Sequence, residues 1–131
     1  MTTLDKKAED LVIAVLAELS VQGIDTLRMN DRQFHDHFGI VLDRLRQAGG
    51  ELKDLADQFY KNIVTDTYDE LDHSLITAEQ FGFVKFPNPT YSRLTIAITP
   101  RMAHRLLASW DSGERSMIAS ATKEIVNRQA A

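Results

Sequence analysis

The chain of 131 residues has no cysteine, so disulfide bonds, thiolate metal sites and cysteine nucleophiles are excluded. It also has no long apolar run. The longest uninterrupted one is Leu11–Ala17, well short of the about 20 residues that a membrane-spanning helix needs. The first residues show no charged segment followed by an apolar segment and a small-residue cleavage site, the order found in secretion signals. From these absences we expect a cytoplasmic protein without a membrane partner.

Glycine and proline are scarce, with six and three residues, and the glycines form neither a Walker loop nor a GxGxxG turn. The serines lack the Gly-x-Ser-x-Gly elbow of a hydrolase nucleophile. Carboxylates are abundant, but nothing in the sequence places two of them in one cleft. An enzyme is therefore the least supported class, and we expect no catalytic residues and no cofactor.

The segment His35-Asp36-His37 has the composition of a metal site but not its geometry. On a helix, residues two apart point in different directions, so the two imidazoles cannot reach one ion. The same argument applies to residues 69–73, Asp-Glu-Leu-Asp-His. We expect no metal ion at either segment and interpret the histidines as surface or helix-start residues.

The composition is that of a single globular domain, with 44% hydrophobic and 26% charged residues. The sequence contains no internal repeat, low-complexity tract or linker, so we expect one domain over residues 1–131. Fifteen basic against 19 acidic residues give a net charge of −4. That charge argues against a surface built as a whole for phosphate.

Apolar residues recur at intervals of three and four in four segments before Gly82, and this spacing predicts four helices. The first runs from Leu4 to Gly23, and the second begins at a cap formed by Asn30 or Asp31. The predicted helices cover about residues 4–22, 30–48, 51–60 and 67–81, the last with a capping box formed by Thr67 and Glu70. Residues 24–29 alternate only in part, which fits either a brief strand or extended chain.

After Gly82 the spacing changes to alternation, which predicts a β-hairpin formed by Phe83–Phe86 and Tyr91–Ile98 with its turn at 87–90. Thr99 and Pro100 then predict the start of another helix. A last helix follows Ser112. The expected fold class is mainly α with one β-hairpin.

This order of elements resembles that of the winged helix-turn-helix group over about residues 4–99, with two further helices over about 100–129. The resemblance depends on the helix Thr67–Gly82 and the hairpin Phe83–Ile98, whose tip Pro87-Asn88-Pro89 would be the wing. It implies a compact helical core with an inward stripe on the helix before the wing. In nucleic-acid-binding members that helix enters the major groove. The stripe consists of Leu71, Leu75, Ala78 and Phe81.

The charges on this helix depart from that pattern, because five acids and no Lys or Arg lie between Thr65 and Gly82. Such a helix repels phosphate. We therefore expect a non-enzymatic winged-helix-like module that binds protein, and weak or absent DNA binding. The alternative is a DNA-binding transcription regulator that uses its basic hairpin and the helix after it. The residues for that role are Lys85, Arg93, Arg101 and Arg105.

Charge is divided along the chain: residues 51–79 hold eight acids against two lysines, whereas residues 80–110 hold four basic residues and no acid. This division fits two faces of opposite sign that favour self-association or an electrostatically chosen partner. It also fits two solvated faces that only keep the protein in solution. Most aromatic residues lie on apolar stripes. Phe86 and Tyr91, which flank the predicted turn at 87–90, are the two expected on the surface.

The last helix, about residues 114–128, carries an apolar stripe although a winged core is already closed without it. The stripe either folds back onto the first helix of the same chain or pairs across a two-fold axis. We expect the two-fold pairing, and therefore a homodimer. The interface residues would be Met117, Ile118, Ala121, Ile125 and Val126.

Overall fold

A computed structural model describes residues 6–86 and 92–130, and within these ranges the chain is mainly helical with two small antiparallel sheets. The expected fold class is confirmed. None of the described helices has the length and apolar character needed to cross a membrane. The helices are α1 (Ala8–Val21), α2 (Gln33–Ala48), α3 (Gly50–Ala56), α4 (Asp69–Gln80), α5 (Pro100–Leu107) and α6 (Ser112–Ala130). The strands are β1 (Thr26–Arg28), β2 (Lys61–Asn62), β3 (Thr67–Tyr68), β4 (Val84–Lys85) and β5 (Arg93–Ile96).

The hairpin predicted after Gly82 is present as β4 and β5, which pair antiparallel with Val84 opposite Ile96. Its predicted turn at 87–90, together with Tyr91, lies outside the described residues. β1 pairs with the other edge of β5, so the sheet has the order β1-β5-β4. The segment 24–29 therefore contains a strand, whose Leu27 is buried with β4 and β5 residues in the core.

A second hairpin, β2–β3, occupies the region where the sequence predicts the end of one helix and the start of the next. α3 ends at Ala56, earlier than expected. The capping box expected from Thr67 is wrong, because Thr67 belongs to β3 and its hydroxyl group hydrogen-bonds to that of Thr65 at 2.7 Å. Tyr68 takes the N-cap position of α4 without a capping side-chain hydrogen bond.

Two other predicted helix starts have opposite outcomes. The cap expected from Asn30 or Asp31 is wrong: residues 30–32 form a 3-10 turn, and α2 begins after Arg32, whose φ is 62°. The cap of α5 is confirmed, because the Thr99 hydroxyl oxygen accepts the backbone N–H of Met102 at 3.2 Å. The residue after Thr99 is proline, whose fixed φ suits the first helical position.

α1 lies in the middle of the fold and packs against α4, α5 and α6. α1 can contact all three helices because its own apolar residues lie around the helix instead of forming one stripe, as is typical of a buried helix. α6 also packs against α2 of the same chain.

This packing corrects the interface expected on α6. Ile118, Ala121 and Ile125 are buried within the single chain, because α1 and α2 offer the apolar surface that the stripe needs. The fold-back arrangement is therefore the one present at these three positions. Met117 stays exposed, and Val126 is half-buried against the core.

Candidate functional site

An apolar groove of about 460 Å³ lies on one side of α4, bounded by the start of α2, by β3 and by the residue after β4. Its apolar surface comes from four side chains, and charged and polar groups surround them. This composition is that of a site that takes an apolar group and orients it with a few polar contacts. The lining residues are Met29, Arg32, His35, Thr67, Asp72, Leu75, Ile76, Glu79 and Phe86.

α4 supplies one wall of the groove, because residues three and four apart share a side of a helix. Asp72, Ile76 and Glu79 follow this spacing and lie outside the buried stripe. The side chain of Ile76 is 54% exposed although it is large and apolar. α4 thus packs one side into the core and presents a second, partly apolar side to the groove.

Not every expected position on this part of the chain is correct. Phe81, expected on the inward stripe of α4, is 65% exposed because α4 ends before it and the chain turns at Gly82, whose φ is 79°. Phe86, expected on the surface, is half-buried and packs against the core while lining the groove.

His35 joins the three elements around the groove. Its Nδ1 accepts the backbone N–H of Tyr68 at 3.0 Å, so Nε2 is the nitrogen that carries hydrogen in the neutral ring. Nε2 lies 2.8 Å from Oδ1 of Asp72 and donates to it. His35 is near the start of α2, as expected, but it is buried and not on the surface. Both ring nitrogens are therefore engaged, and His35 connects α2 to β3 and to α4 beside the groove.

The histidines of residues 35–37 diverge, as their spacing predicts. His35 faces Asp72 on α4, whereas Nδ1 of His37 accepts a hydrogen bond from Gln129 on α6 at 3.1 Å. Burial, and then the positive charge of Arg128, lowers the pKa of His37. Among residues 6–86 and 92–130, no three His, Asp or Glu side chains are placed to hold a metal ion together.

The turn of the β2–β3 hairpin presents two aliphatic side chains to solvent, Ile63 at 97% exposure and Val64 at 89%. We refer to these two residues as the hairpin tip. The backbone below them is held by Asn62, whose Oδ1 accepts the N–H of Val64 at 2.9 Å. The N–H of Asp66 donates to the carbonyl oxygen of Asn62 at 2.7 Å and closes the turn.

Ion pairs fix the base of this hairpin beside the groove. Asp66 lies 3.2 Å from Nζ of Lys61 and 3.8 Å from Nη1 of Arg32, which also donates to the carbonyl oxygen of Thr65. The hydrogen bond to Asp66 raises the pKa of Lys61. Arg32 and Asp66 are the two residues other than glycine with positive φ in the described parts of the chain, at 62° and 60°. Such strained backbone persists where surrounding contacts hold it and is found at functional sites.

The four basic residues expected in the alternative function fall on two elements. Lys85 and Arg93 are exposed on the outer face of the three-stranded sheet, where Arg93 lies opposite Arg28 of β1. Arg101 and Arg105 lie one helical turn apart on α5. They line a shallow pocket of about 390 Å³ together with Thr99 and Met102.

Sequence reasoning missed both the groove and the hairpin tip. Two signals were available: Ile76 is a large apolar residue outside the helical stripe, and Ile63 and Val64 lie between the turn-forming residues Asn62 and Asp66. Neither signal shows that Met29 and Phe86 meet α4, because that requires the three-dimensional fold.

Comparison of the chain with models of protein families, with curated proteins and with solved structures finds no match. The winged-helix resemblance therefore stays a prediction.

Proposed function

We propose that the protein is a non-enzymatic protein-binding module whose groove holds an apolar side chain of a partner segment. The observation that carries this proposal is the exposure of Ile76 beside Leu75 and Phe86 in a groove walled by the His35–Asp72 pair. An apolar surface of this kind gains free energy when a partner covers it. The fixed hydrogen bonds of His35 keep the wall in one arrangement, which lowers the entropy cost of binding.

Charges around the groove determine which partner segment fits best. Asp72 and Glu79 contribute carboxylates on the α4 side, and both residues are exposed. Arg32 contributes one positive charge on the opposite side, but Asp66 lies close to it. The groove is thus negative overall, and an apolar side chain flanked by Lys or Arg complements it.

The arrangement of the sheet supports a winged-helix-like architecture for this module. β1 adds a third strand to the hairpin along the free edge of β5, in the order β1-β5-β4. α4 directly precedes the hairpin β4–β5, as the helix before a wing does. In this proposal α4 serves a protein partner instead of a DNA groove.

Fluorescence polarisation with short labelled peptides tests the proposed function. Each peptide carries one central Leu flanked by Lys, by Ser or by Glu, and we expect the Lys-flanked series to bind most tightly. Ile76→Asp should weaken binding by about tenfold or more, because it places a charge where the apolar side chain docks. Met102→Asp is the matched control, since Met102 is an exposed apolar helix residue that does not line this groove.

Two results would contradict the proposed function. One is that none of the three peptide series binds the chain at concentrations at which it is monomeric. The other is that Ile76→Asp and Met102→Asp weaken binding equally, which would place the peptide elsewhere.

A second candidate, a DNA-binding transcription regulator, is favoured by one observation. Lys85 and Arg93 are exposed on the same face of the sheet, so phosphate contacts from β4 and β5 are geometrically available. Against it, α4 beside the sheet carries carboxylates and no cation. A mobility-shift titration with duplex DNA separates the two candidates.

A further inference from the structure

We propose that the segment held in the groove is the hairpin tip, Ile63 and Val64, of a second copy of this chain. Two copies then pair about a two-fold axis, with the tip of each in the groove of the other. This inference rests on the proposed function, because both use the same groove.

The exposed apolar side chains are unevenly distributed along the chain. Among the described residues, five of the eight large exposed apolar side chains lie between residues 60 and 81. The hairpin tip is convex and aliphatic, and the groove is concave and mostly apolar. Ile63 and Val64 of the hairpin tip and Ile76 of the groove are among these five, and large apolar side chains left exposed to this extent mark interaction sites. The five side chains are Tyr60, Ile63, Val64, Ile76 and Phe81.

The hairpin tip does not reach the groove of its own chain. Ile63 is almost fully exposed, and contacts from Arg32 to Asp66 and to Thr65 hold the hairpin base at the groove edge. The groove and the tip therefore lie side by side, joined by Thr67, which lines the groove. A two-fold rotation exchanges neighbouring features, so one operation seats both tips and closes the assembly.

The charges of the hairpin are compatible with the acidic groove. The hairpin, residues 60–68, carries one lysine and one aspartate, Lys61 and Asp66, and is neutral overall. A neutral tip approaches the carboxylates of Asp72 and Glu79 without charge repulsion. The ammonium group of Lys61 has three hydrogens, so its contact with Asp66 leaves donors for a carboxylate of the second copy.

The hairpin tip is preorganised for binding. Asn62 accepts from the N–H groups of both Val64 and Thr65, and the ion pairs of Asp66 secure the base of the turn. The tip therefore has its bound conformation before association. Such rigidity lowers the entropy cost that an ordered loop would otherwise add to binding.

The test uses two variants of the full chain. The tip variant, Ile63→Asp with Val64→Asp, retains an intact groove, and the groove variant, Ile76→Asp, retains an intact tip. Sedimentation velocity over a concentration series should show a dimer for the wild type. Each variant alone should raise the dimer dissociation constant by about 30-fold or more, the loss expected for a central interface residue. Met102→Asp should leave the constant unchanged.

Mixing the two variants gives the decisive measurement. The groove variant offers an intact tip and the tip variant offers an intact groove, so their heterodimer has one intact tip–groove contact whereas neither homodimer has any. The two variants should therefore pair with each other more tightly than either pairs with itself. Because the chain has no cysteine, Lys123→Cys, at an exposed position of α6, allows one variant to be labelled for fluorescence-detected sedimentation. Thermal unfolding of each variant checks folding, and Ile76→Ser replaces the groove variant if the aspartate unfolds it.

The proposal is overturned if the wild type is monomeric, if either variant dimerises as tightly as the wild type, or if the two variants pair with each other no more tightly than each pairs with itself. Peptide binding to the tip variant separates this failure from that of the proposed function. If the wild type is monomeric but the tip variant binds Lys-flanked peptides, the groove serves another partner and only the self-association is wrong. If those peptides do not bind either, both proposals fail.

Discussion

His35 shows how one buried side chain determines the geometry of the groove. Its two ring nitrogens connect the backbone of β3 to the carboxylate of Asp72, so α2, β3 and α4 meet at one imidazole. A buried backbone N–H without a partner costs about 1–3 kcal/mol. The Tyr68 N–H depends on His35 for its partner, and this contact is therefore more costly to lose than an exposed one.

We predict that His35→Ala lowers the free energy of unfolding by about 2–4 kcal/mol, through a cavity and an unsatisfied Tyr68 N–H. His35→Asn should cost less, because its side-chain oxygen can take the place of Nδ1 as acceptor. Urea denaturation followed by circular dichroism measures both values.

Asp72→Asn serves as the control at the other end of the same contact. Asp72 is exposed, and the amide oxygen of the asparagine can still accept the hydrogen bond from Nε2 of His35. The free energy of unfolding should therefore change by less than about 1 kcal/mol. If His35→Asn proves as costly as His35→Ala, the hydrogen bond to Tyr68 is not the source of the stability.

At the scale of elements, α6 contains a matched pair of neighbouring residues in opposite environments. Ile118 is fully buried against α1 and α2, and Met117 is 39% exposed. We predict that Ile118→Ala lowers the free energy of unfolding by about 2–5 kcal/mol and Met117→Ala by less than about 0.5 kcal/mol. Urea denaturation at two protein concentrations measures the difference.

The concentration series distinguishes the two roles considered for this stripe. A loss at Ile118 that is independent of concentration fits packing within one chain. A loss that grows as the protein is diluted would instead identify α6 as the interface between two copies.

Periodicity predicts the long elements well, because a helix or hairpin with one buried side repeats its apolar residues. It fails for β2 and β3, which have two residues each and no repeat to detect. Thr67 and Glu70 have the spacing of a capping box, but pairing of Thr67 with Asn62 in the sheet takes precedence. For α6, the stripe shows that a face is buried and not which chain covers it.

The candidate site is less predictable than the fold, because its residues come from separate segments of the sequence and no local spacing connects them. His35 and Asp72 are 37 residues apart in the sequence, and only the packing of α2 near α4 joins them. The identity of an exposed groove residue such as Ile76 is visible in the sequence as an exception to the stripe. Its groove neighbours Met29 and Phe86 lie before and after α4 in the sequence, so they meet Ile76 only once the chain has folded.

At the scale of the whole molecule, part of the charge is used within the chain. Arg44 pairs with Glu124 between α2 and α6, and Arg46 pairs with Asp57 at 3.1 Å. The carboxylates of α4 that face the groove are Asp72 and Glu79. The surface that remains is acidic around α4 and basic on the sheet and α5.

From this distribution we predict little binding to duplex DNA at physiological salt, with a dissociation constant no tighter than about 10⁻⁶ M, the non-specific range. Acidic α4 repels the phosphates that the sheet would attract. A mobility-shift titration measures the constant, and lower salt should strengthen whatever binding exists.

Sequence-specific binding tighter than about 10⁻⁸ M would contradict this prediction and favour the regulator function. In that case, replacing the four basic residues of the hairpin and α5 together by Ala should reduce the dependence of binding on salt. The residues to replace are Lys85, Arg93, Arg101 and Arg105.

The contact between β1 and the end of α6 has a consequence for how the protein is made. The N–H of Arg28 donates to Gln129, 101 residues later, and β1 completes its sheet only with β5. The ribosome synthesises α1 and β1 long before α4, α5, α6 and β5, which pack against them. The apolar surface of α1 is therefore uncovered in the nascent chain. We expect folding to finish after synthesis, with chaperones that hold extended apolar segments protecting the early part of the chain.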